Sequence, residues 1–193
     1  MAIQASKSIS LTDYKTGEAF KLSANQIIYF MTNTAGVLEI TYIDNRDNVI
    51  VRLVSQSAAT VNTAAARTQM LTFNPEPFVY TYFYIHSDKI IFIDEEITSG
   101  AGRTITYNAF GPSPTVINKV IDSTASLNTA AGNTFPVTMQ SGPAFRWINN
   151  LLVNAITTHP GGSEIMYDAK GTENFSILVS ESPSAVQTLI NAL

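Results

Sequence analysis

The residues able to do chemistry in this chain are few and scattered. His86 and His159 are the only histidines. Neither has a second histidine at ligand spacing, and no Gly-x-Ser-x-Gly elbow offers a serine for a nucleophilic triad. His86 lies in an apolar, strand-like run, where a structural place is expected. His159 precedes the turn Pro160-Gly161-Gly162, where an exposed place is expected. Asp94-Glu95-Glu96 is the densest acidic run. Hard cations take carboxylate oxygens, but EF-hand spacing is absent, so the run reads as a solvated strand end. Asp44 and Asp47 flank Asn45-Arg46, and turn chemistry accounts for both. Gly100-Ala101-Gly102 is not followed by Lys-Ser/Thr and is no phosphate loop. With no cysteine, disulfides, iron–sulfur clusters and thiolate zinc sites are excluded. The expectation is a protein without catalytic, cofactor or metal residues.

Contact chemistry is the richer prospect. Phe73, Phe78, Tyr80, Tyr82, Phe83 and Tyr84 form an aromatic cluster. Alternation places Tyr80, Tyr82 and Tyr84 on one face of a strand and Phe83 on the other. Such a face can be a strand buried on both sides. It can equally be an interface, where tyrosine and phenylalanine are enriched, or a sugar platform. The candidate contacts are therefore Tyr80, Tyr82 and Tyr84, with the loop tips around Asn45, Gly111 and Gly171.

Composition bounds these readings. The chain has 193 residues, is 45% hydrophobic and only 13% charged, against roughly 25% charged for an ordinary soluble domain. Few solvated faces are available, which suits either compactness or a partner-covered surface. Its net charge of −4 and lack of a basic patch argue against direct nucleic-acid binding. MAIQASKSIS lacks a basic start followed by an apolar core, so no signal peptide is expected. The longest apolar stretch, Phe78 to Ile93, is broken by His86, Asp88 and Lys89 and is too short to span a bilayer.

The elements that must position any contact residue repeat three times. Ile40-Thr41-Tyr42, Ile105-Thr106-Tyr107 and Ile165-Met166-Tyr167 are each followed, a short polar loop and one strand later, by a second block. The three blocks begin at Leu53-Val54-Ser55-Gln56-Ser57, Lys119-Val120-Ile121-Asp122-Ser123 and Leu178-Val179-Ser180-Glu181-Ser182. Upstream lie the apolar runs Ile27–Met31, Ile90–Ile93 and Leu151–Val153, and before them Ala19–Leu22, Tyr80–Ile85 and Phe145–Ile148. Leu22, Ile85 and Ile148 are evenly spaced. A fixed period of this kind signals tandem structural units. The expected modules are 1–66, 67–132 and 133–193. Each is rich in β-forming residues, with turn signals every 8–12 positions. Val37–Ile43 and Asn48–Val54 flank Asp44–Asp47 as a hairpin.

Each module is expected to close with a short helix, over 58–66, 124–131 and 183–193. Ser57, Ser123 and Ser182 stand where an N-cap would, Pro183 suits the first helical position, and Gly132 suits a C-cap. Val61, Leu127 and Val186 are the expected anchors onto the sheets. The fold class is thus all-β, mainly strands with short helices, as three tandem β-rich repeats of four or five strands. A single sandwich or barrel built from the repeats is the competing reading.

The order of apolar strand, turn, Ile-x-Tyr, polar loop and Val-x-x-Ser before a short helix resembles small β-rich structural proteins of tailed bacteriophage virions, of the capsid auxiliary or decoration type. It is clearest in Val179–Val186. The second module departs from it, with Asp122-Ser123-Thr124 where the third has Glu181-Ser182-Pro183. The resemblance implies a protein made in the host bacterial cytoplasm and located in the virion, where multiple copies bind and stabilise the major capsid lattice. Its partners would be the major capsid protein or other virion proteins, without nucleic acid or membrane. A head–tail connector, tail or fibre-anchoring protein is an alternative of the same chemistry. A soluble glycan- or peptide-binding module is an alternative of another class.

Overall fold

The computed structural model describes residues 7–65, 68–72, 82–94, 103–107, 115–120, 122–141, 145–167 and 175–193. Among these the chain is mostly β, with three short α-helices, and it divides into two compact units, Met1–Ser87 and Asp88–Leu193.

The first unit opens with a hairpin of β1 (Ser8–Thr12) and β2 (Ala19–Ser23). A 3₁₀ turn over Ala24–Gln26 follows. Ser23 and Gln26 close a capping box around it, with Gln26 Oε1 accepting the Ser23 N–H at 3.0 Å. Then comes an antiparallel meander of β3 (Ile27–Thr32), β4 (Leu38–Ile43) and β5 (Val49–Val54). β3 is nearly all apolar, as befits a strand covered on both faces, whereas β5 lies at a sheet edge and exposes Val49 and Val51. The meander runs into helix α1 (Ala58–Ala65), capped by Ser57, whose Oγ accepts the Thr60 N–H at 3.2 Å. β6 (Thr68–Thr72) and β7 (Tyr82–His86) form a second hairpin, and β7 pairs antiparallel with β3. The result is a five-stranded sheet of order β5-β4-β3-β7-β6, beside the two-stranded β1-β2.

Ile9, Leu11 and Leu22 of the first hairpin meet Phe30, Leu38, Ile40 and Val54 of the meander and Val61 of the helix in one core. Fully burying each of these large side chains contributes about 1.5–3 kcal/mol. Backbone bonds knit the layers: Ser55 N–H donates to Thr12 O at 2.9 Å and Tyr14 N–H to Leu53 O at 3.0 Å.

The second unit opens with a 3₁₀ turn reaching back to Ser87, then β8 (Ile90–Asp94), β9 (Arg103–Tyr107) and β10 (Thr115–Val120). Helix α2 (Thr124–Ala131) follows. Ser123 Oγ accepts the Ser126 N–H at 3.1 Å at its start, and Gly132 ends it at φ 69. β11 (Thr134–Thr138) and β12 (Phe145–Asn149) form a hairpin, and β12 pairs with β8. This completes a five-stranded sheet of order β10-β9-β8-β12-β11. A 3₁₀ turn over Asn150–Leu152 leads to the three-stranded sheet of β13 (Val153–His159), β14 (Gly162–Tyr167) and β15 (Phe175–Val179). Helix α3 (Pro183–Asn191) carries Pro183 in its first turn and the Ser182 cap, Oγ accepting the Ala185 N–H at 3.3 Å. Phe135, Val137, Ile148, Ile165, Tyr167, Val179 and Val186 form its core, with Ile91 of β8 among them.

The expected helices, their serine caps and the anchors Val61, Leu127 and Val186 (all 1% exposed or less) are where the sequence places them. Sheet pairing, however, is not confined by the expected boundaries. β6–β7 lies beyond position 66 yet extends the sheet of β3–β5, and β11–β12 lies beyond position 132 yet extends that of β8–β10. Exposed edge groups on β3 and β8 are what these hairpins satisfy.

Candidate interaction surfaces

Among the described residues, His86, His159 and Asp94 have structural places. His86, on β7, is 1% exposed. His159 ends β13 with Nδ1 3.1 Å from Pro160 O. Asp94 is no solvated strand end: it forms a two-pronged pair with Arg146, 2.6 Å to Nε and 2.9 Å to Nη2, and the guanidinium lies 3.8 Å over the Phe92 ring. Glu95, Glu96 and Gly100–Gly102 lie outside the described residues. Among the described residues no group of three or more His, Cys, Asp or Glu could hold a metal ion, and no helix is long and apolar enough to cross a membrane.

Asp44 and Asp47 build the β4–β5 turn. Asp44 Oδ1 accepts N–H bonds from Arg46 at 2.8 Å and Asn48 at 2.9 Å, and Asp47 takes φ 61. The bond from the Asn48 backbone, then its side chain and the Arg46 N–H, hold the Asp44 carboxyl below the usual carboxylate range. Asp13 is lowered likewise, first by the Thr16 N–H, with Lys15 N–H and the Arg52 charge adding to it. Arg52 stands 3.5 Å from Asp13 and lies 4.6 Å over the Phe20 ring.

Of the three candidate tyrosines, Tyr84 is the one whose side chain is described. Tyr84 is only 9% exposed and stacks on Phe30 of β3, ring centroids 4.6 Å apart. Phe83, on the opposite face of β7, is 5% exposed and stacks on Tyr29 at 4.7 Å. β3 and β6 pair the two edges of β7, and at Phe83 and Tyr84 both of its faces are buried. Tyr84 is therefore a core residue. Tyr82 contributes backbone to β7 opposite Thr72. Tyr80, Gly111 and Gly171 lie outside the described residues. Of the expected loop tips, Asn45 is exposed, and its Oδ1 accepts from Gln26 Nε2 at 3.1 Å, tying the β4–β5 turn to the preceding 3₁₀ turn.

The exposed apolar surface lies elsewhere. In the first unit Tyr14, Val49 and Val51 are exposed on and beside the edge strand β5. In the second, Phe145 and Leu151 are exposed, and Phe145 walls a groove of about 570 Å³ with Pro136, Val137, Ala185 and Leu189. Glu181 stands at this groove with Oε1 accepting the Thr138 N–H at 2.8 Å. Gln56 does the same for the Thr12 N–H at 3.0 Å in the first unit. The alternation in Val49-Ile50-Val51 could have pointed to a half-exposed edge strand. Phe145 gave no such cue, because its neighbours Trp147 and Ile148 are equally apolar. These surfaces can supply apolar contact and strand-edge pairing. Comparison with known proteins finds no matching family model, no matching curated protein and no matching solved structure.

Proposed function

We propose that the chain is a structural virion protein, a capsid auxiliary or decoration protein that binds the major capsid lattice in multiple copies and stabilises it. The observation that carries this reading is the use of strand addition as the chain's own joining device. Twice, a hairpin completes the sheet of the preceding meander, as β7 does on β3 and β12 on β8. A protein that joins neighbours needs such edges and exposed apolar area. Val49, Val51, Phe145 and Leu151 supply the second.

The finer architecture we propose is three tandem modules, each running strand, strand, 3₁₀ turn, three strands, helix. Support comes from the element order and from contacts at matching places. Ser55 N–H to Thr12 O corresponds to Ser180 N–H to Thr138 O at 2.8 Å, and the bridge Asp13–Val54 corresponds to Met139–Val179. The 3₁₀ turns start at Ala24, Ser87 and Asn150, spaced by the same interval as Leu22, Ile85 and Ile148.

The test is the copy number relative to the major capsid protein, by quantitative mass spectrometry of purified particles. Hundreds of copies per particle are expected. Six or twelve would replace the lattice role with a connector or tail ring, and absence from particles would overturn the virion reading. Particles lacking the protein should also lose heat resistance.

A further inference from the structure

Among the described residues, two of the four sheets are incomplete in complementary ways. The five-stranded sheets each consist of a three-stranded meander plus a two-stranded hairpin. The remaining pieces are the hairpin β1-β2, whose β2 edge has no ladder partner among the described residues, and the meander β13-β14-β15, whose β13 edge likewise has none among them. We propose that β2 of one copy pairs antiparallel with β13 of a second copy, joining the chains head to tail through the same joint that the chain uses twice internally. This deepens the structural reading above by naming one neighbour, a second copy of this chain. Its test uses the isolated protein, whereas that reading is tested on particles, so either can fail alone.

Register follows from the internal joints. Met31, Phe30 and Tyr29 stand opposite Phe83, Tyr84 and Ile85. One period on, Asp94, Ile93 and Phe92 stand opposite Arg146, Trp147 and Ile148. Carried one period further, Thr157, Ile156 and Ala155 meet Phe20, Lys21 and Leu22 of the second copy.

Hydrogen-bond parity gives the same answer independently. Asp13 N–H donates to Glu18 O, so the ladder bonds of β1–β2 fall alternately at Leu11–Phe20 and Ile9–Leu22. Ala19 and Lys21 therefore turn their backbone groups to the open side. On β13, His159 and Gly162 close a two-residue turn, which assigns His159 and Thr157 to β14 and turns Ile156 and Thr158 outward. Lys21 and Ile156, the central pair from the repeat, are both outward-facing. A mismatch of one position between the two derivations would have put a ladder-bonded residue at the joint.

Burial marks the same edge. Each of β3, β8 and β13 bulges at its second residue, at Ile28, Ile91 and Asn154. Ile28 and Ile91 have no exposure, while Asn154 is exposed and β13 is only half-buried along its length. The proposed joint is more polar than the apolar joint of β3 and β7. Lys21 stands where the internal joints have Tyr84 and Trp147, and Thr157 where the β3–β7 joint has Met31. An edge lysine discourages pairing with arbitrary strands, and here it makes the joint reversible. Because the two edges differ, the contact is heterologous and growth continues into a ring or an open chain.

The chain has no native cysteine, so cross-linking is clean. Phe20→Cys and Thr157→Cys variants, mixed and oxidised, should give a disulfide-linked dimer, whereas Phe20→Cys with Thr158→Cys, whose side chains face oppositely, should not. Sedimentation of the unaltered chain should show concentration-dependent association. Lys21→Pro, which removes an outward N–H, should abolish it. Lys21→Tyr with Asn154→Ile should tighten it roughly tenfold by restoring what the internal joints carry. A chain that stays monomeric at every concentration, with folded cysteine variants that do not cross-link, overturns the proposal. So does a Phe20→Cys/Thr157→Cys double variant that closes only within one chain.

Discussion

The Arg146–Asp94 pair offers a quantitative test of how the joints are built. It sits where β12 crosses to β8, both side chains 13% exposed, with the guanidinium on Phe92. At the matching place in the first unit, Phe83 stands opposite Met31 and stacks on Tyr29. One joint is thus ionic and the other apolar at equivalent positions. Removing one charge leaves its partner in a site with little water. For a fully buried pair that costs about 3–5 kcal/mol, and the residual exposure here lowers the expectation to about 2–4 kcal/mol for Arg146→Phe or Asp94→Met alone. Replacing both removes two desolvation costs along with the attraction, and apolar replacements of buried pairs are often neutral or stabilising. The double variant should therefore lie within about 1 kcal/mol of the parent. Urea unfolding of the full chain, arranged as a double-mutant cycle, reads the coupling directly. A double variant destabilised by the sum of the two single effects would refute the equivalence of the joints.

Other outcomes follow from the same cores. Leu127, 1% exposed, anchors α2, and Leu127→Ala should cost about 2–5 kcal/mol, read as a lowered urea midpoint. A Cβ on Gly162 would stand 2.0 Å from Val179 O, a backbone atom that cannot swing aside. Gly162→Ala should therefore part β14 from β15 and expose the Ser163 and Val179 amides to hydrogen exchange. Burial pushes the Tyr167 phenol up to about 12. The neutral form is the one favoured by folding, so this contribution is complete below about pH 10 and lost as pH rises through about 12. A rise of that size corresponds to about 3 kcal/mol. Tyr167→Phe should flatten the fall in stability across that window, as followed by circular dichroism.

What the sequence disclosed was local. The three helices, their serine caps and the Asp44 turn are set by residues close together along the chain, and each formed where expected. The 3₁₀ turn at Ala24–Gln26 was missed although Ser23-x-x-Gln26 is a readable capping box. Alternation correctly set Tyr84 opposite Phe83. It could not say which face meets solvent, because that depends on β3, a strand remote in sequence. The same limit applies to sheet partnership. A repeat defines what each hairpin looks like, but pairing it with its own meander or the preceding one leaves the pattern unchanged. One cue was present: Ile27-Ile28 and Ile90-Ile91 open their strands with adjacent isoleucines, whereas Val153-Asn154 does not. Adjacent buried side chains require cover on both faces, and on β13 the second position is the exposed Asn154.

That asymmetry bears on why the hairpins cross the boundaries at all. A module that kept its hairpin's outer edge unpaired would expose an edge at every repeat. In the proposed three-module arrangement, the joints use six edges, those of β2, β7, β12, β3, β8 and β13, and passing each hairpin edge to the preceding meander leaves two of them open, on β2 and β13. In tandem arrays the outermost surfaces are usually made polar to keep the protein soluble. Lys21, Asn154 and Thr157 fit that role at low concentration. The same substitutions leave the backbone ladder intact, since none is proline and the outward N–H and C=O groups remain. On the proposed lattice, neighbouring copies would be held together, so effective concentration would rise and a weak joint would become occupied without any new contact. Polar edges are thus compatible with both states, free in dilute solution and joined in an assembly, and dilution of assembled material should reverse the joint while leaving each copy folded.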